Sequence, residues 1–393
     1  MTFTQLAVIG LVALLGPLLA YPKGWRLPVV LGELLAGIAI GRTGLGYVDA
    51  SDPTFTFLAD IGFALVMFVA GTHVPLRDPQ LRPALRIGAA RAVAVGLLAA
   101  GGGWLIAVVS GVPHAALFAV LLASSSAALI LPVVDSVGLG GAMVVQLLPQ
   151  IAIADSACIV ALPLAIDPQH AVRAAGGAAA VILAAVVLFI GLRHFERNGT
   201  RRRLHQVSEQ RLFALELRLQ LVLLFALAGL AVRTHVSIML AGFAFGLAVT
   251  AVGEPRRLAK QLFALTEGFL GPLFFVWLGA ALNLRAFGSH PAMIVLGVAL
   301  GGAAALTHVV GGRLLAQPVP WGLLAAAQLG VPVAAATIGT QLGVLRPGEP
   351  SALMLGALVT IGLAVLGGGL AARRDDRARS TPGGPLPAVG DGR

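Results

Sequence analysis

Asp155 is the residue around which chemistry is easiest to argue. It stands in the run Gln150-Ile151-Ala152-Ile153-Ala154-Asp155-Ser156-Ala157-Cys158-Ile159-Val160, with no basic residue within ten positions on either side. An unpaired carboxylate in so apolar a segment costs several kcal/mol, which makes it a functional candidate by default. Such a group can hold either a proton or a small cation and exchange one for the other. Oxygen ligands to complete a cation shell are available in the hydroxyls of Ser124, Ser125 and Ser126, which are consecutive, and of Thr337. Gln150, Ser156 and Gln328 are polar groups placed to support them. The plainer reading of Asp155 is a buried carboxylic acid held by a serine hydroxyl for packing.

The remaining charges divide by position. Glu33 lies inside an apolar run, Leu31-Gly32-Glu33-Leu34-Leu35, and either lines a pathway or caps a neighbouring helix. Arg313 follows Thr307-His308-Val309-Val310-Gly311-Gly312 and either pairs with a buried acid or extends to the membrane surface. Asp60, Glu216 and Glu267 fall within a turn or two of the start of apolar runs and read as interfacial. His73 and His308 read as satisfied polar groups, and Cys158, one helical turn from Asp155, as packing.

The elements that must position these residues are membrane helices. The 393 residues are 58% hydrophobic and 11% charged, with a mean hydropathy of +0.92, whereas soluble domains carry about 25% charged residues. Apolar stretches fall near 5–21, 28–41, 57–74, 89–110, 114–134, 143–166, 173–192, 212–232, 236–252, 263–284, 292–312, 321–344 and 350–372. That is about thirteen spans, with no room left for a soluble domain. The net charge of +10 comes from Arg and Lys in short loops, so it reports orientation and calls for no nucleic-acid partner. With the N-terminus outside, 20 basic residues fall inside and 5 outside, and the bias holds in both halves. One cysteine excludes an intrachain disulfide and a cysteine-based metal site, and no cofactor is called for.

Six spans, a linker span and six more form an arrangement in which matched spans run in opposite directions, the inverted repeat usual in secondary transporters. The first repeat covers about 5–166, the linker helix 173–192 and the second repeat 212–372, within a membrane unit of 1–372. Residues 373–393 read as a disordered cytoplasmic tail. Spans 5 and 12 hold matching interruptions. Span 5 has Ser124-Ser125-Ser126 and later Pro132; span 12 has Gln328-Leu329-Gly330-Val331-Pro332, then Thr337. Proline removes a backbone donor, and the hydroxyls can satisfy freed backbone groups or bind an ion.

With these residues in place, the chain resembles the monovalent cation/proton antiporter superfamily, specifically its second family of bacterial sodium or potassium/proton exchangers. Val30-Leu31-Gly32-Glu33-Leu34-Leu35-Ala36-Gly37 with Gly44-Leu45-Gly46 resembles the second-helix signature of that family. Leu58-Ala59-Asp60-Ile61-Gly62 through Gly71 resembles the third, Gly271-Pro272-Leu273-Phe274-Phe275 the proline-diphenylalanine stretch, and Gly312-Arg313-Leu314-Leu315 the glycine-lysine stretch. The resemblance spans about residues 5–370. The charge bias puts the N-terminus outside and the C-terminus in the cytoplasm of an inner-membrane protein, and the resemblance implies a homodimer with two crossed unwound helices in a core that moves against a dimerisation domain. It implies that Asp155 is the cation- and proton-binding aspartate. Ala154 stands where the family often has Asp, Asn or Gln, which implies one-for-one, electroneutral exchange. Arg313 matches a lysine whose usual acidic partner is missing, and Thr72-His73 replaces an acidic position. A gated channel would want a filter sequence, and a symporter of organic anions would want a more polar cavity; neither is evident. No enzyme motif is present.

Overall fold

The computed structural model describes residues 1–22, 29–72, 81–168, 171–198, 214–234, 236–253, 256–282, 284–288 and 291–380. Lys23, Arg26, His73, Arg77, Arg201, Arg202, Arg203, Arg211 and residues 381–393 lie outside them. Every described element is helical. The first stretch is split into α1 (Phe3–Ala13) and α2 (Leu15–Ala20). There follow α3 (Val29–Ile40), α4 (Pro53–Thr72) and α5 (Leu81–Ser110). The fifth stretch is broken into α6 (Ala115–Ala123) and α7 (Ala127–Ser136). Then come α8 (Ala142–Ile166), α9 (Ala171–Arg197), α10 (Leu215–Arg233) and α11 (Ile238–Val252). The tenth stretch is α12 (Arg256–Leu265), a π turn (Thr266–Leu270) and α13 (Gly271–Ala281). After α14 (Ala292–Leu314) the twelfth stretch is broken into α15 (Val319–Ala325) and α16 (Gly330–Gln341), and α17 (Glu349–Ser380) closes the series. These helices occupy all thirteen apolar stretches. Ten of the described segments are long and apolar enough to cross a bilayer, α3 and α11 are shorter, and α6 and α7 are the halves of one broken span. The chain is a multi-pass membrane protein.

Two of the boundaries that differ from those read in the sequence do so for a common reason. α5 begins at Leu81 rather than near 89, so Arg82 and Arg86 are helical, not loop residues. α17 continues to Ser380, where a disordered tail had been expected from 373. Once a packed apolar segment has nucleated a helix, each further residue adds a hydrogen bond at small entropic cost, and Ala and Arg are good helix formers.

Packing sorts the helices into two groups. α1–α4 pack with α10–α13; α5–α8 pack with α14–α17; α9 touches α8 of one group and α10 and α11 of the other. Each group draws equally on the chain before and after α9. The tightest seams in the first group are glycine contacts at matching ranks. A Cβ at Gly37 would lie 2.1 Å from the Val276 carbonyl oxygen, and one at Gly279 2.1 Å from that of Leu34, so α3 and α13 touch backbone to backbone. α4 and α11 meet in the same way: Cβ atoms at Gly242 and Gly246 would lie 2.4 and 2.2 Å from the Ala64 and Phe68 carbonyl oxygens. Spans 2 and 9, seven apart, thus each present two small residues four apart, Gly37/Gly41 and Gly242/Gly246, the spacing that lets membrane helices approach closely.

Gly246→Val should therefore lower the melting temperature in detergent by about 5 °C or more, because a carbonyl-bearing backbone must move. Gly96→Ala, where a Cβ meets nothing within 4 Å, should leave it unchanged or raised. Thermal unfolding followed by size-exclusion chromatography measures both.

Candidate functional site

Two broken helices leave carbonyl groups at the ends of α6 and α15 without helical partners, and inside a bilayer no water is at hand to satisfy them. The structure satisfies them reciprocally. The Ser125 hydroxyl, at the first break, donates to the Ala325 carbonyl at the end of α15. The Gln328 side-chain amide, at the second break, donates to the Leu121 carbonyl in the last turn of α6, which also accepts from the Ser124 N–H. Neighbouring helices complete the fastening. The Thr307 hydroxyl of α14 shares its one proton between the Ala304 carbonyl of its own helix at 2.8 Å and the Leu122 carbonyl at 3.2 Å, and the Gln328 N–H donates to the Thr360 hydroxyl of α17 at 3.2 Å. His308 Nε2 lies 3.2 Å from the Ser124 carbonyl oxygen, which requires the proton on Nε2.

The chain breaks at the serines and at Ala326–Leu329, not at the prolines. Ser124 is extended, with φ −71° and ψ 148°. Pro332 sits in the first turn of α16, where a missing N–H costs nothing.

Asp155 sits beside the first break. It is 2% exposed, and the Ala127 N–H, at the start of α7, faces its Oδ2 at 3.4 Å. The positive end of the α7 dipole is thus aimed at the carboxylate. No ion pair among the described residues includes Asp155. The serines are not equivalent. Ser124 donates to the Leu121 carbonyl at 3.0 Å, and Ser125 is committed to Ala325. The Ser126 hydroxyl is buried with no hydrogen-bond partner, next in sequence to the N–H that faces Asp155. Cys158 is buried one turn along α8.

Other expected members lie elsewhere. Ser156 donates to the Ala152 carbonyl of its own helix at 2.6 Å and so does not hold Asp155. Thr337 is exposed and lines a separate cavity of about 330 Å³ with Ser51, Trp277 and Thr340, because α16 carries it two turns beyond the break. Arg313 is exposed at the end of α14 and forms no ion pair among the described residues; His308, five residues earlier, faces the break. Glu33 is buried, at 3% exposure, but in the other helix group, against Gly16. Asp60 is half-buried on α4.

A second buried polar cluster was not anticipated. Arg91, 2% exposed, donates through Nη2 to the Gln146 Oε1 of α8 and to the Leu315 carbonyl, both at 3.1 Å. Gln317 donates to Gln150 Oε1 at 3.0 Å. Two parallel links thus clasp α8, the helix of Asp155, to the connection that feeds the second broken helix. Gln150 supports this clasp rather than the carboxylate. The signal was present in the spacing: Gln146 and Gln150 are four apart on one face of α8. Arg91→Gln with Gln317→Ala should cost about 2–4 kcal/mol of stability, since each leaves buried partners unsatisfied. Arg91→Lys should recover part of it, and thermal unfolding of the three variants in detergent measures the difference.

Comparison with known proteins agrees with this architecture. Residues 10–371 match the family described as "Sodium/hydrogen exchanger, transmembrane". The Bacillus subtilis (strain 168) protein YjbQ is 25% identical over 382 residues, covering 90% of this chain and 61% of its own. The chain therefore spans less than two-thirds of that relative. The Na+/H+-K+ antiporter GerN of Bacillus cereus is 26% identical over 315 residues, covering 79% of this chain and 78% of its own. A solved structure of the sodium proton antiporter MjNhaP1 of Methanocaldococcus jannaschii at pH 8 superposes with a TM-score of 0.64 at 19% identity, covering 93% of this chain and 97% of that one. A second structure of that antiporter, by electron microscopy, gives 0.66 at 18% identity, covering 99% and 100%. These two likenesses establish the shared fold, and the match over residues 10–371 establishes the kinship: this chain belongs to the sodium/hydrogen exchanger transmembrane family.

Proposed function

We propose that this protein is a secondary active antiporter that exchanges Na+ or K+ for H+ by alternating access, with cation and proton competing for Asp155. The observation that carries the reading is a buried carboxylate with no ionic partner among the described residues, set beside the crossing of two broken helices. The free Ser126 hydroxyl is the first additional ligand for the cation. Ser124 and Ser125 act mainly through their backbone carbonyls, because their hydroxyls are already engaged. The names of GerN and MjNhaP1 give the same ion class.

Competition at one carboxylate supplies the coupling. A proton must leave before a cation is captured, and alternating access delivers each to the opposite side. With Ala154 in place of a second polar group, one proton moves per monovalent cation, and exchange is electroneutral. The unit lies in the inner membrane as a homodimer surrounded by lipid, N-terminus outside and C-terminal segment cytoplasmic, following the basic-residue bias. Residues 5–166 and 212–372 are the inverted repeats, with α9 as the linker. The α5–α8 and α14–α17 group is the part that moves.

Liposomes with a trapped pH dye and an imposed pH gradient test this. Adding NaCl or KCl to wild-type vesicles should move protons, and Asp155→Asn should abolish the response while eluting as a folded protein. Ser126→Ala should raise the half-saturating cation concentration several-fold and leave the maximal rate near wild type. Because proton and cation exclude one another, that concentration should rise about tenfold per unit fall in pH on the acidic limb. Proton movement retained in Asp155→Asn overturns the reading. Cation flux without proton movement in the wild type replaces it with a channel.

A further inference from the structure

A cavity of about 380 Å³ lies between α8, α9 and α11, away from the broken helices. Its lining is Ser156 and eleven apolar residues, among them Val160 on α8, Val186 and Phe189 on α9, and Phe243 and Ala244 on α11. The Ser156 hydroxyl is already spent on the Ala152 carbonyl, so the wall offers no free polar side chain. All three helices are membrane-crossing segments or apolar helices among them. Ile182 and Val186, which line it, are 39% and 45% exposed, so the cavity opens sideways, at bilayer depth. An apolar space of this kind does not hold water, and what surrounds it is lipid.

A cation marks one end. Phe189 lines the cavity, and the Arg193 guanidinium lies 5.8 Å from the centre of its ring. Arg193 is exposed and forms no ion pair among the described residues. Glu196, the acid of the same turn, has an interaction of its own. A guanidinium at the mouth of an apolar crevice has the layout of a phospholipid: acyl chain within, phosphate at the rim.

We propose that this cavity is a binding site for an anionic glycerophospholipid, with one acyl chain between α8, α9 and α11 and the headgroup phosphate against Arg193. α8 belongs to one helix group and α11 to the other. A seated chain therefore fills the seam between the groups and holds them in the arrangement seen here. This inference rests on the membrane-spanning architecture alone and stands apart from the transport reading.

The test uses delipidated full-length protein in detergent, with native mass spectrometry to count adducts and thermal unfolding to read their effect. Phosphatidylglycerol should give a retained adduct and raise the melting temperature by about 3 °C or more near saturation. Phosphatidylcholine with the same chains should give a smaller shift, and glycerol phosphate none. Arg193→Gln should erase the advantage of phosphatidylglycerol over phosphatidylcholine. Ala244→Leu, which fills the crevice, should remove the adduct and the shift without lowering the lipid-free melting temperature. Val186→Phe, filling from α9, guards against misfolding of the first variant. Equal shifts from the two lipids in wild type overturn the headgroup contact, and so does an unchanged preference in Arg193→Gln. Adducts that persist in both crevice-filling variants overturn the site.

Discussion

The architecture of this protein depends on one constraint: a helix interrupted inside a bilayer must find partners for its freed backbone groups within the protein. Two such interruptions lie side by side, and each serves the other. Ser125 reaches the carbonyl that closes α15, and Gln328 reaches a carbonyl in the last turn of α6. The exchange turns two liabilities into one junction. It also decides which hydroxyls remain free, because those of Ser124 and Ser125 are consumed as structural donors while that of Ser126 is not.

The rest of that helix group is arranged around keeping the junction in place. α14 contributes Thr307 and His308, and α17 contributes Thr360. The Arg91 and Gln317 links tie α8 to the connection before α15. Asp155 is then presented to the N-terminus of α7 by a helix held independently at a point about a turn and a half away. The other helix group is built differently. Its tight seams are backbone contacts at glycine, joined by hydrogen bonds such as Trp277 Nε1 to the Ala50 carbonyl and the Thr250 hydroxyl to the Thr72 carbonyl, and α9 alone packs extensively on both groups. Thin contact between the groups, bridged by α4 with α7 and α8 with α11, is compatible with movement of one past the other.

Much of this was legible in the residues. Asp155 stood out because an acid without a nearby base in an apolar run has few structural excuses, and the structure does bury it beside the serines. The interruption at Ser124–Ser126 was visible through residue type, and the second was read at Gln328–Pro332, whereas the chain breaks at Ala326–Leu329 and Pro332 lies inside α16. Other assignments failed for geometric reasons. Thr337 shares its segment with the second break, but two turns of α16 carry it into another cavity. Ser156 adjoins Asp155 in sequence, yet its hydroxyl turns back onto its own helix. Arg91 counted among the charges at the inside end of its span, and only the packing of α5 against α8 and the connection before α15 makes it a buried donor.

Composition, periodic apolar length and charge bias were enough to determine that the chain spans a membrane many times, that it is helical, and that one carboxylate sits far from any compensating charge along the chain. Those properties depend on transfer of side chains between water and lipid, which each residue carries wherever it is placed. Tertiary structure alone decided which side chain meets which carbonyl, why His308 rather than Arg313 faces the break, and why Ser126 is the hydroxyl left free. Such pairings depend on contacts of about 3 Å between residues far apart in the chain, 224 positions for Arg91 and Leu315, and sequence spacing carries no information about distances of that kind.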